Sequence, residues 1–172
     1  MEKVWLKSSP PYVPAEIYTH EYRSLVDLFQ HTVKTYPERP AYSNMGKVLT
    51  YAEVDELTKA FAAYLVHGAG LKAGDRIAIM MPNLLQYPIA LFGALRAGLI
   101  VVNTNPLYTD RELEHQLKDS QASAIIILAN FAHTLESVLD EVNLKTIITT
   151  EIGDLLGFPK ALLVNSVVKY VK

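Results

Sequence analysis

The sequence predicts an α/β fold, an open and mainly parallel sheet with helices on both faces, preceded by a short hairpin. Three observations carry that expectation. Helical and strand-like segments alternate at short intervals from residue 50 onward. The strand segments are apolar at successive positions rather than alternate ones, as parallel strands covered on both faces must be. Glycine, proline or a capping residue sits at most of the boundaries between segments.

Taken in order, residues 1–23 form a lead-in expected to be extended, because Pro10, Pro11 and Pro14 oppose regular helix. From Ser24 the period becomes helical, with Leu25, Leu28, Phe29 and Val33 on one stripe, and the helix stops before Pro37. Ser24 and Asp27 make an S-x-x-D variant of the capping box. Segments 41–44 and 47–50 flank Met45-Gly46, a pair suited to a hairpin turn.

A helix over 51–66 follows, with Thr50 as N-cap and Glu53 as its box partner; Leu57, Phe61, Tyr64 and Leu65 supply its buried stripe. Gly68 and Gly70 end it by tolerating left-handed backbone. Gly74-Asp75 turns into a strand over 76–81. The next helix starts near Leu84 or Pro88 and runs to Ala97, with Pro88 either at its first position or kinking a helix capped by Asn83. A strand at 99–102 leads into the loop 103–108. Thr109 and Glu112 form a second capping box, opening a helix to about Asp119. Strand 124–128, helix 131–142 and strand 146–149 complete right-handed βαβ units. The α/β body thus spans 24–154, and 155–172 form a tail. In that tail a helix would place Asn165, Lys169 and Lys172 on one side and Leu163, Val167 and Tyr170 on the other, with no acid from Lys160 onward.

Composition narrows the function classes. The 172 residues are 50% hydrophobic, which excludes intrinsic disorder. Lys and Arg number 16 against 18 Asp and Glu, with no basic excess of the kind nucleic-acid modules carry. There is no cysteine, hence no disulfide, thiolate metal site or cysteine nucleophile. Residues 1–9 lack the apolar run of a secretory signal, and the longest apolar stretch, 89–102, contains Arg96. These features describe an intracellular globular chain that meets a membrane only by lying on it.

Few residues suggest chemistry. Gly68, Gly70 and Gly74 close a helix and precede a strand, the reverse of a dinucleotide-binding loop. Glu112 and His115 have the i, i+3 spacing of carboxylate-bridged di-iron bundles, but a single pair on an α/β chain reads as a solvated helix face. His20, His31, His67 and His133 show no metal-ligand spacing. Neither a G-x-S-x-G elbow nor a G-x-x-x-x-G-K-[ST] loop occurs. The loop 103–108 is better placed, just beyond a strand's carboxyl end, where open α/β sheets bind ligands. Asn103 and Asn105 either orient a polar ligand group there or cap and turn the chain. The basic tail either lies on an anionic membrane surface or packs against another part of the protein.

Several stretches carry a family resemblance: 74–83 (GDRIAIMMPN), 86–98 (QYPIALFGALRAG) and 101–109 (VVNTNPLYT). Together they resemble the bacterial long-chain-fatty-acid–CoA ligases of the acyl-adenylate-forming superfamily. Residues 49–54 (LTYAEV) are similar to that superfamily's first core motif, L-[TS]-Y-x-E-L, with Val54 in place of the final leucine. Residues 95–106 are similar to its second motif, and 111–117 (RELEHQL) and 157–160 (GFPK) to the long-chain branch.

The resemblance implies the N-terminal subdomain of a two-step ligase. ATP and a fatty acid give an acyl-adenylate and pyrophosphate, and the thiol of coenzyme A then displaces AMP. In that family a Ser/Thr/Gly-rich loop ending in lysine holds the triphosphate with magnesium, later motifs bind adenine and ribose, and a lysine of a small C-terminal domain assists adenylation. None of these stands in this sequence, so no catalytic, cofactor-binding or metal residue is assigned. The isolated chain is expected to be an inactive fragment, with ATP, Mg2+ and coenzyme A belonging to the parent enzyme. The parent is expected in the cytoplasm or peripherally on the inner face of the cell membrane. Its partners would be long-chain fatty acid, ATP and coenzyme A but no nucleic acid, and exposed sheet edges make a homo-oligomer a further expectation. Two alternatives remain at this point: a ligase of the superfamily acting on another carboxylic acid, and a non-catalytic α/β interaction module.

Overall fold

The computed structural model describes residues 3–16 and 21–170. His20 and Lys172, both named above, lie outside the described residues. Before the α/β body the lead-in is not simply extended: Val4–Ser8 form a 3-10 turn, and a second turn closes with the Val13 N–H donating to the Pro10 carbonyl. The prolines follow the 3-10 turn and so do not prevent it.

Helix α1, Leu25–Thr35, starts where Ser24 Oγ accepts the Asp27 N–H at 3.1 Å. The Asp27 carboxylate reaches one residue past the cap, to the Arg23 N–H, so the box is displaced by a residue. Of its expected stripe only Phe29 is fully buried; Leu25 and Leu28 are exposed, because α1 meets the body through its Phe29 side. Strands β1, Pro40–Asn44, and β2, Lys47–Thr50, pair antiparallel. Positive φ at both Met45 and Gly46, 48° and 77°, matches the turn to the strand twist.

Helix α2, Tyr51–Ala63, carries the complete capping box of Thr50 and Glu53. Its last turn widens into a π-turn over Tyr64–Gly68, with the Ala69 N–H donating to the Tyr64 carbonyl. Gly70, not Gly68, is left-handed at φ 69°. Gly68 is needed for a different reason: a Cβ there would stand 2.6 Å from the Tyr64 ring. Tyr64 accordingly lies on the surface, while Val54, not part of the expected stripe, is fully buried.

Four parallel strands form the main sheet: β3 (Arg76–Met80), β4 (Ile100–Asn103), β5 (Ala124–Leu128) and β6 (Thr146–Thr150), in the order β4-β3-β5-β6. The central strands bury both faces. Ile77 and Ile79 of β3, with Ala124, Ile126 and Leu128 of β5, meet Ala90 and Ala94 of α3 (Gln86–Arg96) on one side. Ala78 and Met80, with Ile125 and Ile127, meet Leu113 and Leu117 of α4 (Asp110–Ser120) on the other. Helices therefore cover both faces, and helix α2 packs along α3.

Pro88 is the third residue of α3, where its missing N–H would have had no intrahelical acceptor, so it neither starts nor kinks the helix. Asn83 does not cap α3; its carbonyl accepts from Asn44 Nδ2 at 3.3 Å. The helix expected over 131–142 is broken into a 3-10 turn (Ala129–Phe131), the short α5 (Ala132–Glu136) and a second 3-10 turn (Leu139–Glu141). The break falls where Ser137 Oγ donates back to the Thr134 carbonyl and the Val138 N–H donates to Leu135, three residues back. That tightening lets Leu135 and Val138 both reach the core under α4.

Helix α6, Lys160–Tyr170, packs on the body through the half-buried Ala161, Val164, Asn165 and Val168. The side carrying Asn165 thus faces the body, and Leu163, Val167 and Tyr170 are exposed. Asn165 Oδ1 accepts the Gly153 N–H at 2.6 Å and its Nδ2 donates to Asp154 at 3.2 Å. Gly153 is what allows the approach: a Cβ there would meet Asn165 Oδ1 at 2.5 Å and the Ala161 carbonyl at 2.6 Å.

Candidate functional site

Sheet order locates the site. The chain leaves β3 toward β4 on one side and returns to β5 on the other, so β3 and β5 flank the switch point where ligands enter open α/β sheets. Four loops gather along that carboxyl rim: 81–85 after β3, 103–108 after β4, 129–131 after β5 and 151–153 after β6.

The loop 103–108, best placed from the sequence, spends its polar groups on the fold. Asn103 Oδ1 accepts the Tyr87 hydroxyl at 2.8 Å, and its carbonyl accepts from Gln116 Nε2 at 3.1 Å. Asn105 Oδ1 accepts the Leu107 N–H at 3.0 Å, an Asx turn. Thr104 is buried and its N–H donates to the Ile79 carbonyl, continuing the β3 ladder past the strand end. Of the two readings of this loop, its bonds match capping and turning.

Two other openings lie near β6. A polar one of about 370 Å³ is bounded by Asn130 and His133 behind β5, Glu151 behind β6, and Asn165 and Lys169 of α6. An imidazole, an ammonium, a carboxylate and two amides thus meet in one space. The sequence reading treats His133 only as a non-ligand and Lys169 only as part of the tail. The signal available was their position after the ends of β5 and β6, but convergence depends on α6 folding back. The second opening, about 420 Å³, is apolar and lies between α2, α3 and β6, lined by Leu57, Phe61, Met81, Ile89 and Ile148. Its polar edge is satisfied internally: Asp154 accepts the Thr150 hydroxyl and the Glu151 N–H, both at 2.8 Å, and Gln86 Nε2 donates to the Glu151 carbonyl at 2.7 Å.

The donor set does not fit a triphosphate with magnesium. No group of three His, Asp or Glu able to hold a metal occurs among the described residues, Glu112 and His115 included. The positive-φ glycines next to strands of the main sheet, Gly74 and Gly98, precede β3 and β4 rather than following them. The perturbed carboxylates are structural: accepting the Thr50 N–H holds Glu53 below its ordinary value, and accepting the Thr109 N–H does the same for Glu112. What this geometry defines is a scaffold, a two-faced α/β layer presenting loops along one rim.

Comparison with known proteins gives that scaffold its class. The model of the AMP-binding enzyme family matches residues 29–171, and the chain belongs to that family. More particularly, it is 60% identical over all 172 residues to the long-chain-fatty-acid–CoA ligase of Escherichia coli O157:H7, and 39% identical over 168 residues to that of Bacillus subtilis. It spans 31% of the length of the first relative and 29% of the second. Among solved structures, a long-chain-fatty-acid–CoA ligase from Archaeoglobus fulgidus superposes with a TM-score of 0.71 at 21% identity, covering 88% of this chain and 31% of that one. An anthranilate CoA ligase gives 0.70 at 22% identity, covering 74% and 25%. These two likenesses establish the fold.

Proposed function

We propose that this chain is the N-terminal α/β part of an AMP-forming ligase that activates long-chain fatty acids to acyl-CoA through an acyl-adenylate. The observation that carries the reading is 60% identity over all 172 residues of the chain. The fold alone does not choose the acid, since anthranilate and benzoate ligases share it. Within this reading, 1–23 is a lead-in, 24–154 the subdomain proper and 155–172 the connection onward. ATP, magnesium and coenzyme A are bound by the parent enzyme, which works in the cytoplasm and at the inner face of the cell membrane, and self-association runs through the exposed edges of β4 and β6. The contribution of this chain is positional. The sheet and its capped helices hold the rim loops, while triphosphate stabilisation comes from outside it.

A chimera tests this. This chain replaces the matching 172 residues of the Escherichia coli relative, and palmitoyl-CoA formation is measured beside the isolated chain. The chimera is expected to make palmitoyl-CoA and the isolated chain none. A folded but inactive chimera, or ligation by the isolated chain, overturns the reading.

A further inference from the structure

Helix α2 reaches its end with its apolar stripe only partly covered. Leu57 and Phe61 are half-buried and Tyr64 is 49% exposed, although an amphipathic helix packed on a body directs such a stripe at the core. These three form one side of the apolar opening of about 420 Å³, facing α3 and Ile148 of β6. Two glycines shape that wall. A Cβ at Gly93 would stand 2.7 Å from the Phe61 ring, and one at Gly68 would stand 2.6 Å from the Tyr64 ring. The bare Cα of each lets a ring lie down, on α3 and on the π-turn. The rings run nearly parallel, with centroids 6.2 Å apart and planes inclined by 25°. The widened turn carries Tyr64 outward while the next residue, Leu65, stays fully buried. At the polar edge Gln86 Nε2 already donates to the Glu151 carbonyl, and Asp154 already accepts from Thr150, Glu151 and Asn165. An occupant of this recess must therefore be apolar.

We propose that an apolar segment of the parent ligase, from outside these 172 residues, seats in this recess with Phe61 and Tyr64 as its anchors. The inference rests on the ligase reading, in which this chain is 31% of the length of its relative and the larger part lies elsewhere. Aromatic rings suit the role, since they supply large, stiff contact area that loses little freedom on docking. A covalently attached segment also competes at an effective concentration that a separate molecule does not reach, which favours it over a second copy of this chain. A fatty acid fits the recess less well: its carboxylate would meet that of Asp154 and find Gln86 Nε2 already bonded.

The test is hydroxyl-radical labelling, read residue by residue by mass spectrometry, of the isolated 172-residue chain and of the chimera with the Escherichia coli relative. Leu57, Phe61 and Tyr64 are expected to label in the isolated chain and to lose most of that labelling in the chimera. The isolated chain is also labelled over a dilution series and with palmitate, and neither is expected to protect the three. Tyr64→Lys supplies a second readout, by thermal unfolding followed with circular dichroism. The isolated chain should keep its Tm, because the ring is half exposed there, and the chimera should unfold at a lower temperature. Undiminished labelling in an active chimera overturns the proposal and leaves the ligase reading standing. A chimera that does not fold, or folds without activity, removes that reading and this inference with it. Protection of the isolated chain at high concentration gives the recess to a second copy, and protection by palmitate gives it to the acid; either overturns the proposal. So does a Tm loss equal in both proteins, or none in the chimera, since Tyr64 would then anchor nothing.

Discussion

At the scale of single residues, the N-caps are the places where sequence and structure agree most closely. Thr50 and Glu53 exchange both bonds of a capping box, at 3.2 and 2.8 Å, and Thr109 and Glu112 repeat the arrangement. Such a box is satisfied by groups within four residues, so its spacing suffices to find it. It also makes stability depend on pH. Because the Thr50 N–H favours the carboxylate form, the folded value of Glu53 lies below the ordinary 4.5. The stabilisation is then complete above that ordinary value and is lost as pH falls through the lower folded one. Urea midpoints of wild type and Glu53→Gln should differ at neutral pH and converge in acid, once the carboxylate is protonated in both folded and unfolded chains. A difference that persists unchanged in acid would show that the carboxylate's charge is not responsible. Gly153 is the opposite case: its φ is unexceptional, and its need for a bare Cα comes from residues 161 and 165.

At the scale of elements, three helices are joined through one ion pair. Arg96 of α3 donates to Asp55 of α2, which also meets Lys59 at 2.6 Å, and the guanidinium lies 5.5 Å from the Phe29 ring of α1. The side chains of Arg96 and Asp55 are only 9% and 12% exposed, and Arg96 Nε has no hydrogen-bond partner. Removing one member strands the other in a site already short of an acceptor. Asp55→Ala should therefore cost about 3 kcal/mol, and Asp55→Leu combined with Arg96→Leu markedly less. Equilibrium denaturation decides this, and a double variant as unstable as the single one would refute the account. Nothing in the spacing of 55 and 96 announces the pair; it exists because α2 and α3 lie side by side. The same limit explains α5 and α6. Hydrophobic period found both segments, but the break at Ser137 and the inward face of α6 answer to neighbours far away in the chain.

For the whole molecule, the sheet concentrates stability at its centre. Ile79 of β3 is 1% exposed between helices on both faces, whereas Ile147 of the edge strand β6 is 43% exposed. Ile79→Ala should cost about 3 kcal/mol and Ile147→Ala under about 1 kcal/mol, read from urea unfolding. Equal costs would mean that β6 is covered as fully as β3. The carboxyl rim of this sheet was legible in part. The rule that ligands gather beyond strand ends pointed to 103–108, and the asparagines there turned out to be bonded within the fold. The convergence of Asn130, His133, Glu151 and Lys169 was hidden, because it needs the strand order and the return of α6 as well as the strand ends.

By itself the sequence determined the α/β class, the strands and most of the helices, the capped helix starts, the hairpin turn and the family. Each of these rests on contacts within a few residues, on a period of 2 or 3.6, or on motifs read in order along the chain. Only the tertiary structure decided that the strands run in the order β4-β3-β5-β6, that Asp55 and Arg96 meet, that 131–142 breaks, and that α6 turns its amide inward and its leucines out. Those outcomes depend on which surfaces reach one another across the fold. A helical period lays out the faces of α6, but which face is buried answers to what it meets across the fold, here the bare Cα of Gly153 against Asn165 and the core cluster against Val164.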